Sequence, residues 1–214
     1  MSRSISDGAI ISNVRNTLTL IGIGFIILFA GVWYAFNDVF IPDDDTNENF
    51  TINASNSMTS ELKITSSAFA EGANIPPKFT CDGEQTSPAL FISGVPESAK
   101  SLALIMDDPD VPKALKPDGV FDHWVLFNIS PATTEIPEGG SAGTPGANGG
   151  GKNAYYAPCP PPQYEPSEHR YVFALYALDT ELPLKVGASK AEVLNAMEGH
   201  VVEKAELVGK YKRQ

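Results

Sequence analysis

Apolar and polar positions alternate through most of the chain after residue 61. In Ser101-Leu-Ala-Leu-Ile-Met-Asp-Asp108, a period of two puts Leu102, Leu104, Met106 and Asp108 on one face. The same period groups His123, Val125, Phe127 and Ile129, and again His169, Tyr171, Phe173 and Leu175. Shorter strands are expected at Leu62–Ser66, Leu90–Ile92 and Ala205–Tyr211. Pro-rich turns separate these runs, so the pattern predicts a mainly β fold, a sandwich of antiparallel sheets. One helix is expected near the end. Ser189-Lys-Ala-Glu192 has the capping-box spacing, Val193, Leu194 and Met197 form an apolar stripe, and Gly199 stands where a helix closes.

The start of the chain follows a different pattern. Thr17 to Phe36 is a run of 20 residues without a charge. As a helix it would reach about 30 Å, the thickness of a bilayer's hydrocarbon core. Arg3 and Arg15 precede it, and Asp38, Asp43, Asp44, Asp45 and Glu48 follow. The positive-inside rule then makes residues 1–16 a cytoplasmic tail and 17–36 a single-pass transmembrane anchor. Residues 37–60, rich in Asn, Asp, Ser and Thr, read as a polar acidic linker to an extracytoplasmic domain over 61–214. A cleaved signal peptide, which would make the domain secreted, competes with this reading. Its apolar core would be shorter, and a cut after Ala35 would put Trp33 at a position that favours small residues. Asn49-Phe-Thr51, Asn53-Ala-Ser55 and Asn128-Ile-Ser130 match the glycosylation pattern, which chance explains equally well in such composition.

Composition removes several classes. A net charge of -11 leaves no basic footprint for a nucleic-acid backbone. Two cysteines make neither a disulfide framework nor a four-thiolate zinc site. Gly 18 and Pro 17 argue against an all-helical bundle.

The candidate chemistry sits at strand ends. Asp108, His123, and His169 with Tyr171 each stand on an apolar face, and Asp110 follows across Pro109. Converging Asp, His and Tyr above an apolar floor describe a small-molecule pocket. Imidazoles and a phenol can donate to an anion, and a carboxylate can orient an imidazole. The same Asp and His types bind divalent metals, yet no dense ligand spacing supports that, so no metal or cofactor is expected. Gly139-Gly-Ser-Ala-Gly143 matches a hydrolase nucleophile pattern but lacks the strand before it and the helix after it.

Six segments carry a resemblance. They are Phe79-Thr-Cys-Asp-Gly83 with Ser87-Pro88, Met106-Asp-Asp-Pro-Asp110, Asp122-His-Trp124, Tyr156-Ala-Pro-Cys-Pro-Pro161, His169-Arg-Tyr171 and Gly209-Lys-Tyr-Lys-Arg213. Together and in order, they resemble the phosphatidylethanolamine-binding protein family, in its bacterial and archaeal Raf-kinase-inhibitor-like branch. The resemblance implies two antiparallel sheets with short C-terminal helices and an anion pocket that accepts phosphate-like groups. It implies ligand-binding roles for Asp108, Asp110, His123, Pro158, His169 and Tyr171, with Pro160 on the same rim. Ala157 stands where the family usually has glycine. The Gln163–Glu168 segment is long, and the Gly-rich loop Gly139–Gly151 is expected to be a mobile pocket edge. Cys81 and Cys159 lie beside the pocket motifs; rim thiols are expected, with a disulfide as the alternative. The expected function is a membrane-anchored module that binds a small anionic ligand and acts on a protein partner. A hydrolase using a His/Asp acid–base pair is the alternative; the pocket motifs offer it no nucleophile.

Overall fold

The computed structural model describes residues 61–213. The expected tail, anchor and linker, with the patterns at Asn49 and Asn53, lie outside the described residues. Among the described residues, no helix is long and apolar enough to cross a membrane.

Two antiparallel sheets form the body. The smaller has the order β1-β2-β5, from β1 (Lys63–Ser66), β2 (Leu90–Ser93) and β5 (Glu135–Ile136). The larger has the order β6-β4-β3-β7-β8, from β3 (Ser101–Asp108), β4 (Phe121–Ile129), β6 (Thr144–Pro145), β7 (Glu168–Leu178) and β8 (Val201–Lys212). Ile64, Leu90, Ile92 and Ile136 of the small sheet meet Leu102, Leu104, Met106, Trp124 and Phe173 of the large one in a single buried cluster. A second cluster lies on the large sheet's other face, where Ala103, Ile105, Val125 and Phe127 pack with Val193 and Met197 of α1 (Lys190–Met197). The large sheet is thus covered on both faces, which explains why β3 is apolar at successive positions.

The capping box is formed. The Ser189 hydroxyl accepts from the Glu192 N–H at 3.3 Å, and the Glu192 carboxylate accepts from the Ser189 N–H at 2.8 Å. Val193 and Met197 are buried, but Leu194 is 40% exposed, so the expected stripe is two residues wide. Gly199 follows the helix with φ +79°, a left-handed conformation that suits glycine. Instead of several C-terminal helices, the described residues hold this one α-helix and a 3-10 turn over Pro77–Phe79.

Alternation holds in β3 and β7 and fails in β4. Leu102 pairs with Ile129 and Asp108 with Phe121, so seven residues of β3 face nine of β4. The register shifts twice, between Leu102 and Leu104 and between Met106 and Asp107. Each shift is a bulge, an extra residue that breaks the period of two. Consequently His123 does not share a face with Val125, Phe127 and Ile129. Val125 and Phe127 pack beneath α1, whereas Ile129 belongs to the inter-sheet cluster. The His123 ring turns to Tyr171, centroids 5.1 Å apart and edge-on.

Asn128, at the second bulge, has φ +50°. Its amide donates to the Leu182 carbonyl at 2.9 Å and accepts from the Leu182 N–H at 2.7 Å. The nitrogen that a glycan would require is therefore engaged. The Gly-rich loop, expected to be a mobile edge, is instead laced along β4. Gly146 N–H donates to the Val125 carbonyl at 2.9 Å and Gly149 N–H to the Asp122 carbonyl at 2.7 Å. A Cβ on Gly149 would stand 2.8 Å from the Phe121 ring, so this approach requires glycine.

Candidate functional site

The polar ends of β3, β4 and β7 converge on a cavity of about 580 Å³. Asp108, His123 and His169 line it, with Phe121, Tyr156, Cys159, Pro160, Pro161 and, from the 109–120 loop, Val111, Leu115 and Lys116. A larger groove of about 640 Å³ runs along β1 and β8; Glu61, Glu71 and Glu206 line it, but none of the sequence-predicted site residues does.

Each imidazole is anchored through its Nδ1. His169, buried on β7, donates from Nδ1 to Asp108 Oδ2 at 2.7 Å. The other Asp108 oxygen accepts from the Asp110 N–H at 2.9 Å, so both carboxylate oxygens are engaged. His123 donates from Nδ1 to the Tyr156 carbonyl at 2.6 Å, and the Tyr156 N–H returns a bond to the His123 carbonyl at 2.8 Å. Burial holds the His123 pKa below the usual imidazole value, against the raising effects of the Tyr156 hydrogen bond and the Asp108 charge. His169 Nε2 and the Tyr171 hydroxyl are buried without a hydrogen-bond partner among the described residues. Burial, with Asp108 nearby, raises the Tyr171 pKa, so its hydroxyl keeps its proton.

The six expected site residues do not all stand in one place. Asp108, His123 and His169 line the cavity. Tyr171 lies behind His123, within the inter-sheet core. Asp110 turns away to Arg170, accepting from Nε at 2.9 Å and Nη2 at 2.7 Å, and this pairing lowers its pKa. Pro158 is buried behind the rim, where its carbonyl accepts from the Cys81 N–H at 3.0 Å; Pro160 lines the cavity.

The rim itself is cross-linked. Cys81 and Cys159 form a disulfide with Cα atoms 5.3 Å apart, where rim thiols were expected. The turn bearing Cys81 and the segment bearing Cys159 are already paired through that Cys81–Pro158 bond, which brings the sulfurs within reach. Sequence reasoning also missed the Tyr156 carbonyl, Lys116 and Asn148. Asn148 is buried and holds the loop beneath the rim, donating to the Ala154 carbonyl at 2.8 Å and accepting from Gly150 and Lys152 N–H groups. No side-chain pattern signals a carbonyl acceptor; the Asn148-Gly149 pair was readable only as a turn. Among the described residues, no three His, Cys, Asp or Glu side chains come together as a metal site.

A family model described as phosphatidylethanolamine-binding protein matches residues 65–212. A Chlamydia muridarum protein called UPF0098 protein is 44% identical over 153 residues, covering 71% of this chain and 99% of that one. A UPF0098 protein of Methanothermobacter thermautotrophicus is 47% identical over 159 residues, with the same coverage of 71% and 99%. Among solved structures, a phosphatidylethanolamine-binding protein homolog from Chlamydia trachomatis superimposes with a TM-score of 0.69 at 42% identity, covering 72% of this chain and 99% of that one. E. coli YbcL, described as a member of the mammalian PEBP family, gives 0.64 at 28% identity with the same coverage.

Proposed function

This chain belongs to the phosphatidylethanolamine-binding protein family, and from that premise we propose that its folded domain binds a small anionic, phosphate-like group in the cavity of Asp108, His123 and His169. The observation that carries this reading is the orphaned pair, His169 Nε2 and the Tyr171 hydroxyl. A buried polar atom left without a partner costs about 1–3 kcal/mol. Of the two, His169 stands on the cavity wall, where its Nε2 is suited to a hydrogen-bonding ligand, while the Tyr171 hydroxyl lies behind His123 in the core. In this reading the domain stands outside the membrane on an anchor at residues 17–36, and ligand occupancy regulates a protein partner. The anchor is tested by carbonate extraction of membranes, in which the chain should remain with the pellet.

The hydrolase reading rests on the Asp108–His169 pair, which could orient a water. No serine, threonine or free thiol is among the cavity's described lining residues, which leaves a covalent route without a nucleophile there. Binding is therefore preferred. Titrating inorganic phosphate into the full chain in neutral detergent, with imidazole resonances as the readout, should give saturable shifts of His123 and His169. His123→Ala should lose them while its unfolding remains cooperative. Unmoved resonances in the parent protein would remove the reading.

A further inference from the structure

Behind the cavity, on the face of the large sheet that α1 covers, one cation holds two carboxylates. Lys190 Nζ donates to Asp107 Oδ1 at 2.9 Å and to Asp122 Oδ1 at 2.6 Å, with its side chain 16% exposed. Asp107 and Asp122 stand directly opposite each other on β3 and β4, a pairing that like charges disfavour. Burial raises the Asp107 pKa; the Lys190 charge works against that rise, and Lys116 adds a smaller effect in the same direction. Neither carboxylate lines the cavity, but each precedes a residue that does, Asp108 after Asp107 and His123 after Asp122. His123 needs outside support more than Asp108 does. Met106 pairs with Trp124 and Asp107 with Asp122, so His123 is left without a counterpart on β3, and the ladder alone does not set its direction. Residue 122 is instead gripped twice. Its carbonyl accepts from the Gly149 N–H at 2.7 Å, and its carboxylate accepts from Lys190. Lys190 is itself held in place as the first residue of α1. Just ahead of the helix, the Ala188 carbonyl accepts from the Ala147 N–H at 2.9 Å, and the Gly187 N–H donates to the Pro145 carbonyl at 2.9 Å.

We infer that Lys190 is a positioning residue for the cavity: by holding Asp122 against Asp107, it sets the direction of the His123 imidazole from the opposite face of the sheet. Neighbouring strand residues leave by opposite faces, so a carboxylate fixed beneath the sheet fixes the backbone from which the next side chain rises. Without the ammonium, two facing carboxylates repel or share a proton, and the bulge loses the contact that locks it. The consequence for ligand affinity rests on the anion-binding reading above; the effect on His123 exists without a ligand.

The test follows the imidazole resonances of the full chain in neutral detergent. His200 serves as the reference, since its Nδ1 pairs with Asp179 outside the cavity. Without ligand, Lys190→Met should shift and broaden the His123 signals and leave those of His169 and His200 in place. Lys190→Arg, which keeps the charge and can donate to both carboxylates, should recover most of the parent spectrum. Asp122→Asn weakens the same tie from the strand side and should reproduce the Lys190→Met spectrum, which decides the matter even if Lys190→Met fails to unfold cooperatively. Val193→Ala removes packing beneath the same helix but keeps the ammonium, so it should lower stability and leave His123 sharp. Inorganic phosphate, followed through the His169 shifts, should bind Lys190→Met about tenfold more weakly than the parent protein and Val193→Ala within about twofold of it. His123 signals unmoved in both Lys190→Met and Asp122→Asn would overturn the inference. Equal broadening by Val193→Ala would also overturn it, by reducing Lys190 to a support of the helix. A His123 change in a protein whose parent binds no phosphate would remove the anion-binding reading and leave the positioning role standing.

Discussion

The cavity's two histidines are held in opposite ways. His169 stands on a regular strand, laddered to β3 on one side and β8 on the other, and its Nδ1 reaches a side chain of that adjacent strand. His123 stands on a bulge, and its Nδ1 reaches a backbone carbonyl in the irregular segment between Ala154 and Pro161. The strand wall is fixed by the same sheet that buries the core. The rim wall is fixed by a few loop hydrogen bonds and the Cys81–Cys159 cross-link. A single cavity therefore joins a side that should outlast small perturbations to a side that should respond to them.

The largest expected effect is on the strand wall. Asp108→Ala leaves the buried His169 Nδ1 and the Asp110 N–H without their acceptor and should destabilise the domain by about 3–5 kcal/mol in urea unfolding. A loss below about 1 kcal/mol would show that the sheet alone holds His169. Next comes the rim. Cys81→Ser with Cys159→Ser should cost about 2–4 kcal/mol. In the folded protein the variant should broaden the His123 imidazole resonances and leave those of His169 sharp; equal broadening of both would erase the distinction between the walls.

A smaller effect separates the walls by pH. The folded His123 pKa lies below the ordinary value of 6.5. Below that value the unfolded chain takes up a proton that the folded domain refuses, so the unfolded state binds more protons and stability falls as pH falls. His123's contribution is full above about pH 6.5 and is lost toward its depressed folded value, at no more than about 1.4 kcal/mol per pH unit. A urea-midpoint series should show this acid-side slope, and His123→Gln should flatten it; an unchanged slope would assign it elsewhere. The smallest effect belongs to Arg170→Ala, which breaks an exposed pair with Asp110 and should change stability by less than about 1 kcal/mol. Phosphate affinity should be unchanged, because neither residue lines the cavity.

What could be read from the sequence follows the same division. The faces of β3 and β7, the helix cap and the Asp108–His169 end were legible because regular elements translate residue spacing directly into direction. The His123 face was misread because a bulge carries no side-chain signature in Asp122-His123-Trp124 and resets the period without notice. The partner of His123 was invisible because every residue except its neighbours offers the same carbonyl. The disulfide depended on a distance between segments 78 residues apart, which composition does not encode. Asp110 and Pro158 belong to the family motifs, yet one turns outward to Arg170 and the other supports the rim from behind.

The two extra residues of β4 bear on how this site can be lost. Substitution at Asp122 or Trp124 leaves the length of the strand intact, and with it the direction in which residue 123 points. Removing one residue is a different kind of change. Deleting Asp122 would cancel the first bulge, restore strict pairing with β3, and place the imidazole opposite Asp107, on the face covered by α1 and Lys190. The core residues beyond the bulge would keep their places, so the protein could fold around a cavity stripped of one histidine. In this strand a lost codon is a more severe lesion than a changed one, and libraries that sample only substitutions would never encounter it.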